Sequence, residues 1–465
     1  MIPKSLTRTT VAIVIISLVS VLLPRKAEAC GPFFTNSIFV YTVHPDFPLQ
    51  RFAAGEVGVL QPSYARSYLV AAYRNLIGEK LSEAEIAGLK SLWDERLNYG
   101  GGVDDFDWIK KWNAARAKVP GTAEVKISAF RSREKPHEYE TYVNCQEDAF
   151  VSAEATLNDR IKRFGADSAN VREWLKAQDV VFSNCREGVQ IPEAAPADAD
   201  ALIRADRAYQ IAAAHFYAAQ FDDAAKGFDA IARDSSSPWR DFAGYLAARA
   251  VVRKGSLADK DEEGRPSLAD AETRLKAIIS DKSLTRSHHA ATRLLNLTRL
   301  RLRPEEKLHE LSQMIVKKGA ADDFKQTVWD YTVLLDKYVG EEVKADAVPQ
   351  AIRSDDLTDW IVVFQDGSAG SATHAVERWQ ATQSLPWLVA AISSVTAREP
   401  KLNGLLAAAA KIDRTSSAFP SLAFHSARLL IEANRFDEAR SLLDQTLRDR
   451  KGLSLPGSTC CSGKE

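Results

Sequence analysis

Through the second half of the chain, apolar side chains recur at spacings of three and four residues, which is the period of an amphipathic helix. Between residues 196 and 453 this pattern predicts a run of helix pairs separated by short polar segments. Four consecutive alanines at 407–410 suit close packing between helices. The predicted helices beyond the first pair span residues 242–253, 268–279, 290–301, 305–316, 324–338 and 387–396.

The region from residue 63 to 195 also has a helical pattern, and it predicts a smaller helical domain before the array. The apolar residues of segment 63–77 fall on one helix face. A second helix is expected just after Ser82, because Ser82 and Glu85 have the spacing of a capping box. The remaining predicted segments are helices over 149–164 and 168–182 and a linker over 191–200.

Residues 205–238 have the length and the size pattern of a single helical hairpin. The small side chains of Ala212 and Ala224 would let its two helices cross closely. The segment resembles a tetratricopeptide repeat (TPR), a helical hairpin of about 34 residues. His215 stands where the motif prefers Tyr, which is a mild departure. The matching positions are Ile211, Ala212, Phe221, Ala224, Phe228, Ile231 and Pro238.

A second segment, residues 420–453, has matching side chains at the same offsets. The hairpins between the two segments fit more loosely, so the resemblance covers about a third of the chain. It implies an array that binds a protein or peptide on its concave face without catalysis. Polar residues of the first helix, Gln210 and Tyr217, are the candidates for that face. The packing positions of the second segment are Ala427, Phe436, Ala439 and Leu443.

The predicted array lacks a capping helix at its C-terminal end. Repeat arrays need a polar final helix to cover their last apolar face. Residues 454–465 form a polar tail that contains Pro456 and Gly457 and cannot supply one. We therefore expect either a partner over this face or a chain shorter than its ancestor, and we favour the shorter chain.

The first 29 residues have the pattern of a secretory signal peptide. Lys4 and Arg8 precede an uncharged run over residues 11–23, which is too short to span a bilayer. Small side chains before the predicted cleavage site, between Ala29 and Cys30, suit a signal peptidase. The mature chain would begin with residues 30–62, an irregular arm rich in Pro and Phe that we expect to pack across the next domain.

A mature N-terminus at Cys30 also raises the alternative of an outer-membrane lipoprotein. Bacterial lipoproteins carry a Leu-like residue three positions before the lipidated cysteine. Ala29 fits their pattern, whereas Ala27 and Glu28 depart from it. We therefore expect release into the periplasm or the medium, with membrane attachment only if Cys30 is lipidated.

Export would place the five cysteines in an oxidising compartment. Cys145 and Cys185 lie in similar Asn-Cys-x-Glu contexts, and we predict that they form a disulfide. The alternative is a pair of buried free thiols. Cys460 and Cys461 are adjacent in the polar tail, where a bridge between neighbours would be strained.

Composition and charge narrow the function classes. The 61 Lys and Arg residues nearly balance the 62 Asp and Glu residues, so the chain lacks the broad positive field of a nucleic-acid binder. A hydrophobic content of 45% is ordinary for a soluble globular protein. We therefore expect no nucleic-acid partner.

Motifs for metals and nucleophiles are weak. His288 and His289 are neighbours and would point apart on a helix. Residues 259–270 resemble a calcium-binding loop, but Pro266 stands at a position that is usually apolar, and we favour a solvated insertion. Residues 367–371 predict a turn-rich loop in place of a nucleophile elbow. We expect no catalytic residue, metal or cofactor.

One cluster supports a competing function. Asp104 and Asp107 lie beside Trp108 and Trp112, and carboxylates with aromatic platforms suit a sugar-binding or glycan-hydrolysing site. The ordinary alternative is a loop whose tryptophans pack inward. The favoured expectation remains an exported, non-catalytic TPR-like scaffold that binds a protein or peptide in the periplasm or cell envelope.

Overall fold

The computed structural model describes residues 49–97, 106–132, 141–319, 321, 323–339 and 343–448. Over these residues the chain folds into nineteen α-helices and one short two-stranded antiparallel sheet. The predicted all-α fold is confirmed. The predicted signal peptide with Ala29 and Cys30, the arm up to residue 48 and the tail at 454–465 lie outside the described residues.

The helices form two lobes, and the first, the array lobe, comprises residues 106–302. Each of its helices packs against the next one along the chain, and its buried apolar residues form two adjoining clusters. Its elements are α4 (Asp107–Arg116), β1 (Phe130–Ser132), β2 (Thr141–Val143), α5 (Glu147–Phe164), α6 (Ala169–Ser183), α7 (Ala201–Tyr217), α8 (Phe221–Arg233), α9 (Arg240–Ser256), α10 (Asp261–Ser280) and α11 (Thr285–Leu302).

The second, the composite lobe, combines residues 49–97 with residues 304–448 around one shared apolar core. Its N-terminal helices are α1 (Leu49–Ala53), α2 (Arg66–Leu76) and α3 (Glu83–Leu97). Its C-terminal helices are α12 (Pro304–Val316), α13 (Phe324–Val339), α14 (Asp356–Asp366), α15 (Ala369–Thr382), α16 (Leu385–Ser394), α17 (Leu402–Ala409), α18 (Phe419–Glu432) and α19 (Phe436–Arg448).

Several helix ends follow from local sequence. The Ser82 backbone N–H donates to Glu85 Oε2 at 2.7 Å, and the Glu85 N–H donates to Ser82 Oγ at 3.3 Å, so the predicted capping box forms. Asp200 caps α7 in the same manner, accepting a hydrogen bond from the Leu202 N–H. Side-chain capping thus fixes where α3 and α7 begin.

Helices α7 and α8, the hairpin with the TPR pattern, cross at small residues. A Cβ atom placed on Gly227 would lie only 2.9 Å from Cβ of Ala212. Ala212, Ala224 and Phe228 are buried, and Phe221 packs at the edge of the same core. The close approach therefore depends on a glycine facing an alanine.

Cys145 and Cys185 form the predicted disulfide, with their Cα atoms 5.4 Å apart. Both residues are fully buried, and the bridge joins the start of α5 to the end of α6. Beside it, the Asn144 side-chain amide donates to the backbone oxygens of Asn184, Cys185 and Tyr217. The bridge is thus embedded in hydrogen bonds that hold three turns together.

Helix α2 lies at the centre of the composite lobe, where it contacts α12, α13, α14 and α16. The pattern of segment 63–77 predicted a single apolar face, yet residues 67 to 74 are all buried. The Arg74 guanidinium donates to the Ile315 carbonyl at 2.5 Å and to Glu85 at 3.3 Å. A basic residue is tolerated there because carbonyl and carboxylate oxygens surround it.

The buried residues do not follow the predicted boundaries of the 63–195 domain. Helices α2 and α3 share a core with the C-terminal half of the chain, whereas α4 to α6 share one with α7 to α9. Part of the predicted arm, residues 49–60, joins the composite lobe, where the Leu60 N–H donates to Ser421 Oγ at 2.9 Å. Within the described residues, no helix has the length and hydropathy to cross a membrane.

Candidate functional site

A groove of about 600 Å³ lies where the two lobes meet, and we call it the central groove. The array lobe contributes the start of α5 and one face each of α9 and α11, and the composite lobe contributes α12 and the start of α13. Its polar and charged lining residues include Gln146, Asp148, Tyr245, Arg249, His289, Arg293, Asn296, Lys307, Asp323, Gln326 and Asp330.

The groove walls follow from the amphipathic patterns of α11 and α13. On α13, Val328, Tyr331 and Leu335 are fully buried in the composite core. The opposite side of α13 therefore faces outward and carries Gln326 and Asp330. Exposed apolar residues lie on or beside these walls, each with about two-fifths of its surface accessible: Leu297, Trp329 and Val333.

Arg249 forms one end of the groove and is neutralised there. Its guanidinium donates to Asp148 at 2.5 Å and to the Gln146 side chain at 3.0 Å, and it lies over the Phe216 ring. Burial is the largest single influence on the pKa of Arg249 and lowers it, but the charge and hydrogen bond of Asp148, together with Tyr217 and Tyr245, outweigh burial and raise the pKa. This cation is therefore committed to an internal ion pair.

Lys307 on α12 is similarly committed, since only 3% of its side chain is exposed. Its ammonium donates to Glu310 Oε1 at 2.9 Å and to the side-chain Oδ1 of Asn296 at 3.2 Å. Glu310 is shared with Arg299 at 3.0 Å. The buried ammonium thus has both a charge partner and a hydrogen-bond partner.

Three charged residues of the groove, Arg293, Asp323 and Asp330, form no ion pair with any described residue. Asp330 accepts a hydrogen bond from Gln326 Nε2 at 2.7 Å but forms no ion pair with any described residue. Burial raises the pKa of Asp330, and the positive charges of Lys307 and Arg293 only partly oppose that effect. Arg293 is exposed, and within the described part of the chain it makes neither a hydrogen bond nor an ion pair.

The two residues expected on a partner face, Gln210 and Tyr217, do not line the central groove. Gln210 is 2% exposed, and its amide donates to the Trp174 carbonyl at 3.0 Å and to Gln178 at 3.2 Å. Tyr217 is also buried, which raises its pKa to about 12. Both line a small internal cavity, because α6 covers the face of α7 on which the TPR resemblance placed a partner.

The second TPR-like segment folds as the hairpin of α18 and α19. Ala427 and Ala439 are buried where the two helices pack, and Leu443 is half-buried. Phe436, expected as a packing residue, is instead 53% exposed at the first position of α19. The small residues therefore sit at the predicted helix contact, while the aromatic position lacks a covering helix among the described residues.

The residues behind the sugar-site alternative do not form a platform around a cleft. Trp112 is fully buried, and Trp108 stacks on Phe106 and packs against the tilted ring of Phe150. Asp107 is exposed in the first turn of α4, and Asp104 lies outside the described residues. The inward-packing alternative therefore describes the two tryptophans.

Among the described residues, no group of three or more His, Cys, Asp or Glu could hold a metal ion. The segment that resembles a calcium loop is helical from Asp261 onward, with Gly264 and Pro266 inside α10. Gly264 lies there because its Cα packs against the backbone of Gly255, where a Cβ would clash at 2.1 Å. Helix packing thus explains the glycine that suggested a calcium loop.

The central groove could not be located from the sequence, although one signal was present. Trp329 and Val333 sit four apart on the solvent side of α13, next to Asp330, where an isolated helix would carry polar residues. Comparison with known proteins adds no relative, since no family description, no curated protein and no solved structure matches this chain.

Proposed function

We propose that this chain is an exported TPR-like scaffold that binds a segment of a partner protein in the central groove, within the periplasm or cell envelope. The observation that carries the proposal is the pair Asp330 and Arg293, two charged groups in one groove that lack ion-pair partners within the described chain. Internal salt bridges satisfy the other deeply placed charges there. Asp330 has a pKa raised by burial and lies in a groove, which are features of a candidate binding site.

The helical architecture supports the TPR-like part of the proposal. Consecutive helices of the array lobe stack on one another, and α7 crosses α8 at Ala212 and Gly227. Stacked hairpins create extended concave surfaces that hold polypeptide segments. A groove of about 600 Å³ can admit several side chains of such a segment.

Export is supported by two independent features. The sequence begins with a basic, apolar and small-residue pattern typical of signal peptides. Cys145 and Cys185 form a buried disulfide, which is stable in oxidising compartments and rare in the cytosol. Both features are expected of a scaffold that works in the envelope.

Site-specific photo-cross-linking in living cells tests the proposal. A photoreactive residue is placed at Leu297 in the groove, and the matched control carries it at Val189, which is exposed but lies outside the groove. We expect one partner to be captured at position 297 and not at 189. The purified partner should then bind the purified mature chain at 1:1 stoichiometry in calorimetry.

The same sample reports the compartment, because the captured chain should begin at Cys30 and fractionate with the envelope. Equal capture at both positions, or an identified partner that fails to bind the purified chain, would contradict a groove-binding scaffold. A chain that keeps residues 1–29 and stays in the cytosol would contradict export.

A further inference from the structure

Arg293 and Asp330, two of the groove charges without ion-pair partners, have opposite signs and lie on different helices. Arg293 projects from α11 of the array lobe, and Asp330 lies on α13 of the composite lobe. They are close enough for the charge of Arg293 to favour ionised Asp330, yet the two side chains form no ion pair within 4.0 Å. The groove therefore presents one positive and one negative site across an open space.

The other charged residues of the groove do not neutralise Arg293 or Asp330. Arg249 is held by Asp148, and Lys307 is held by Glu310. Asp323 accepts the Gln326 backbone N–H at 3.0 Å, at the positive end of the α13 dipole. After these pairings, Arg293 and Asp330 are the facing pair of opposite charges that an occupant meets, and Asp323 adds a second negative charge at the start of α13.

Apolar surface accompanies the charges. Leu297 lies one turn after Arg293 on α11 and is 43% exposed in the groove lining. Leu311 and Met314 of α12 contribute further apolar lining. An occupant therefore meets a cationic site, an anionic site and a hydrophobic surface in one cavity, a combination that a polypeptide segment can match.

Resting on the proposed function, we infer that the central groove selects a polypeptide segment that carries both an acidic and a basic side chain, the acidic group binding Arg293 and the basic group binding Asp330. An apolar side chain of the same segment packs against Leu297. Gln326 positions the Asp330 carboxylate by donating to one of its oxygens and leaves the other oxygen to the ligand. Arg293 can bind a carboxylate with two parallel N–H groups.

A polypeptide segment is the favoured occupant because the ligand must carry a negative group for Arg293 and a positive group for Asp330. A simple anion would satisfy Arg293 and leave Asp330 partly desolvated without a counter-charge. A simple cation would do the reverse. Only a dipolar ligand neutralises both sites, and side chains along a peptide can span the groove between α11 and α13.

A displayed library of random heptapeptides, selected on the immobilised mature chain, tests this inference. We expect enriched sequences to contain both an acidic and a basic residue. Asp330→Asn should remove the preference for the basic residue and keep the acidic one, and Arg293→Gln should do the opposite. Each substitution should weaken the binding of an enriched synthetic peptide at least tenfold, since the charge-assisted contact at that site is lost.

The matched control exchanges an exposed pair outside the groove, Asp223→Lys with Lys226→Glu, and should change neither preference nor affinity. Circular dichroism should give the same unfolding midpoint for Arg293→Gln and Asp330→Asn as for the wild type, because Arg293 is exposed and Asp330 has no ion pair to lose. Enriched peptides without a charge preference would overturn the dipolar inference and leave the groove-binding scaffold standing. Failure to enrich any peptide would overturn both.

Discussion

The array lobe and the composite lobe are built from similar helices but are assembled in different ways. In the array lobe each helix packs against its sequence neighbour, and the disulfide spans only 40 residues. In the composite lobe α2 is surrounded by helices that lie more than 200 residues further along the chain. Local packing can be inferred from sequence pattern, whereas a core shared by distant segments requires the folded chain.

The difference also concerns how each lobe should unfold. An array with nearest-neighbour contacts can lose helices in steps. The composite lobe has one continuous core, which includes Tyr68, Trp93, Trp360 and Trp387. We therefore expect the array lobe to open in parts and the composite lobe to unfold as a unit.

Removing the disulfide should have the largest effect and should act on the array lobe. Cys145→Ala with Cys185→Ala should lower the free energy of unfolding by about 4 kcal/mol, because the unfolded chain gains loop freedom. Hydrogen exchange at residues 106–233 should then accelerate far more than exchange at residues 304–448. Wild-type protein treated with a reductant serves as the control, and equal acceleration in both lobes would contradict the separation into two units.

Paired leucine truncations should sharpen the comparison with a somewhat smaller effect. Leu69 in α2 and Leu275 in α10 are both fully buried, and each Leu→Ala change should cost about 3 kcal/mol. Leu69→Ala should raise exchange in both segments of the composite lobe, 49–97 and 304–448. Leu275→Ala should raise it mainly within α10 and its neighbours. A local response to Leu69→Ala, measured by the same exchange experiment, would show that residues 49–97 are not integral to that core.

Lowering the pH should reduce the free energy of unfolding of each lobe in a different pH range. These are the smallest of the expected effects. Burial, helped by the nearby charge of Arg428, lowers the pKa of His425 in the composite lobe to about 4. Since the unfolded chain then binds this proton more readily, stability should fall by about 2 kcal/mol as the pH drops from about 6.5 to 4. His425→Gln should remove that fall.

In the array lobe, hydrogen bonds from Arg303 and the charges of Arg303 and Lys276 lower the pKa of Glu272 to about 2. Its stabilisation is complete above about pH 4.5 and is lost as the pH falls toward 2. The loss should be about 1 kcal/mol at most, because both cations are partly exposed. Urea unfolding of wild type and Glu272→Gln should differ at pH 7 and converge near pH 2. A constant difference across this range would contradict the assignment.

Much of the helical architecture was predictable, but some helices were not. The segments predicted over 149–164 and 168–182 fold as α5 and α6 with only small shifts at their ends. No helix was predicted over Asp356–Asp366. Residues 357 to 364 are all buried, so this segment has no polar face from which a helical period could be read.

The candidate site likewise could be predicted from the sequence only in part. The TPR resemblance placed the partner face on the polar residues of α7. Helix α6 covers these residues, and the Gln210 amide donates its hydrogen bonds to groups inside the protein. Asp330 and Arg293 could not be singled out, because nothing in their local sequence distinguishes them from the other charged residues of these helices. They form a site only where α11 and α13 approach each other across the lobe boundary.

By itself, the sequence determined the all-helical class, the capping of α3, the close-packed hairpin at Ala212 and the disulfide between Cys145 and Cys185. Each depends on residues that interact within a few turns or on a chemical pairing that few residues can make. Only the tertiary structure decided that α2 lies inside the C-terminal half and that the central groove carries charges without ion-pair partners. Those features depend on which distant segments pack against each other. Because hydrophobic burial is non-directional, the local sequence of one segment does not specify which other segment will cover it.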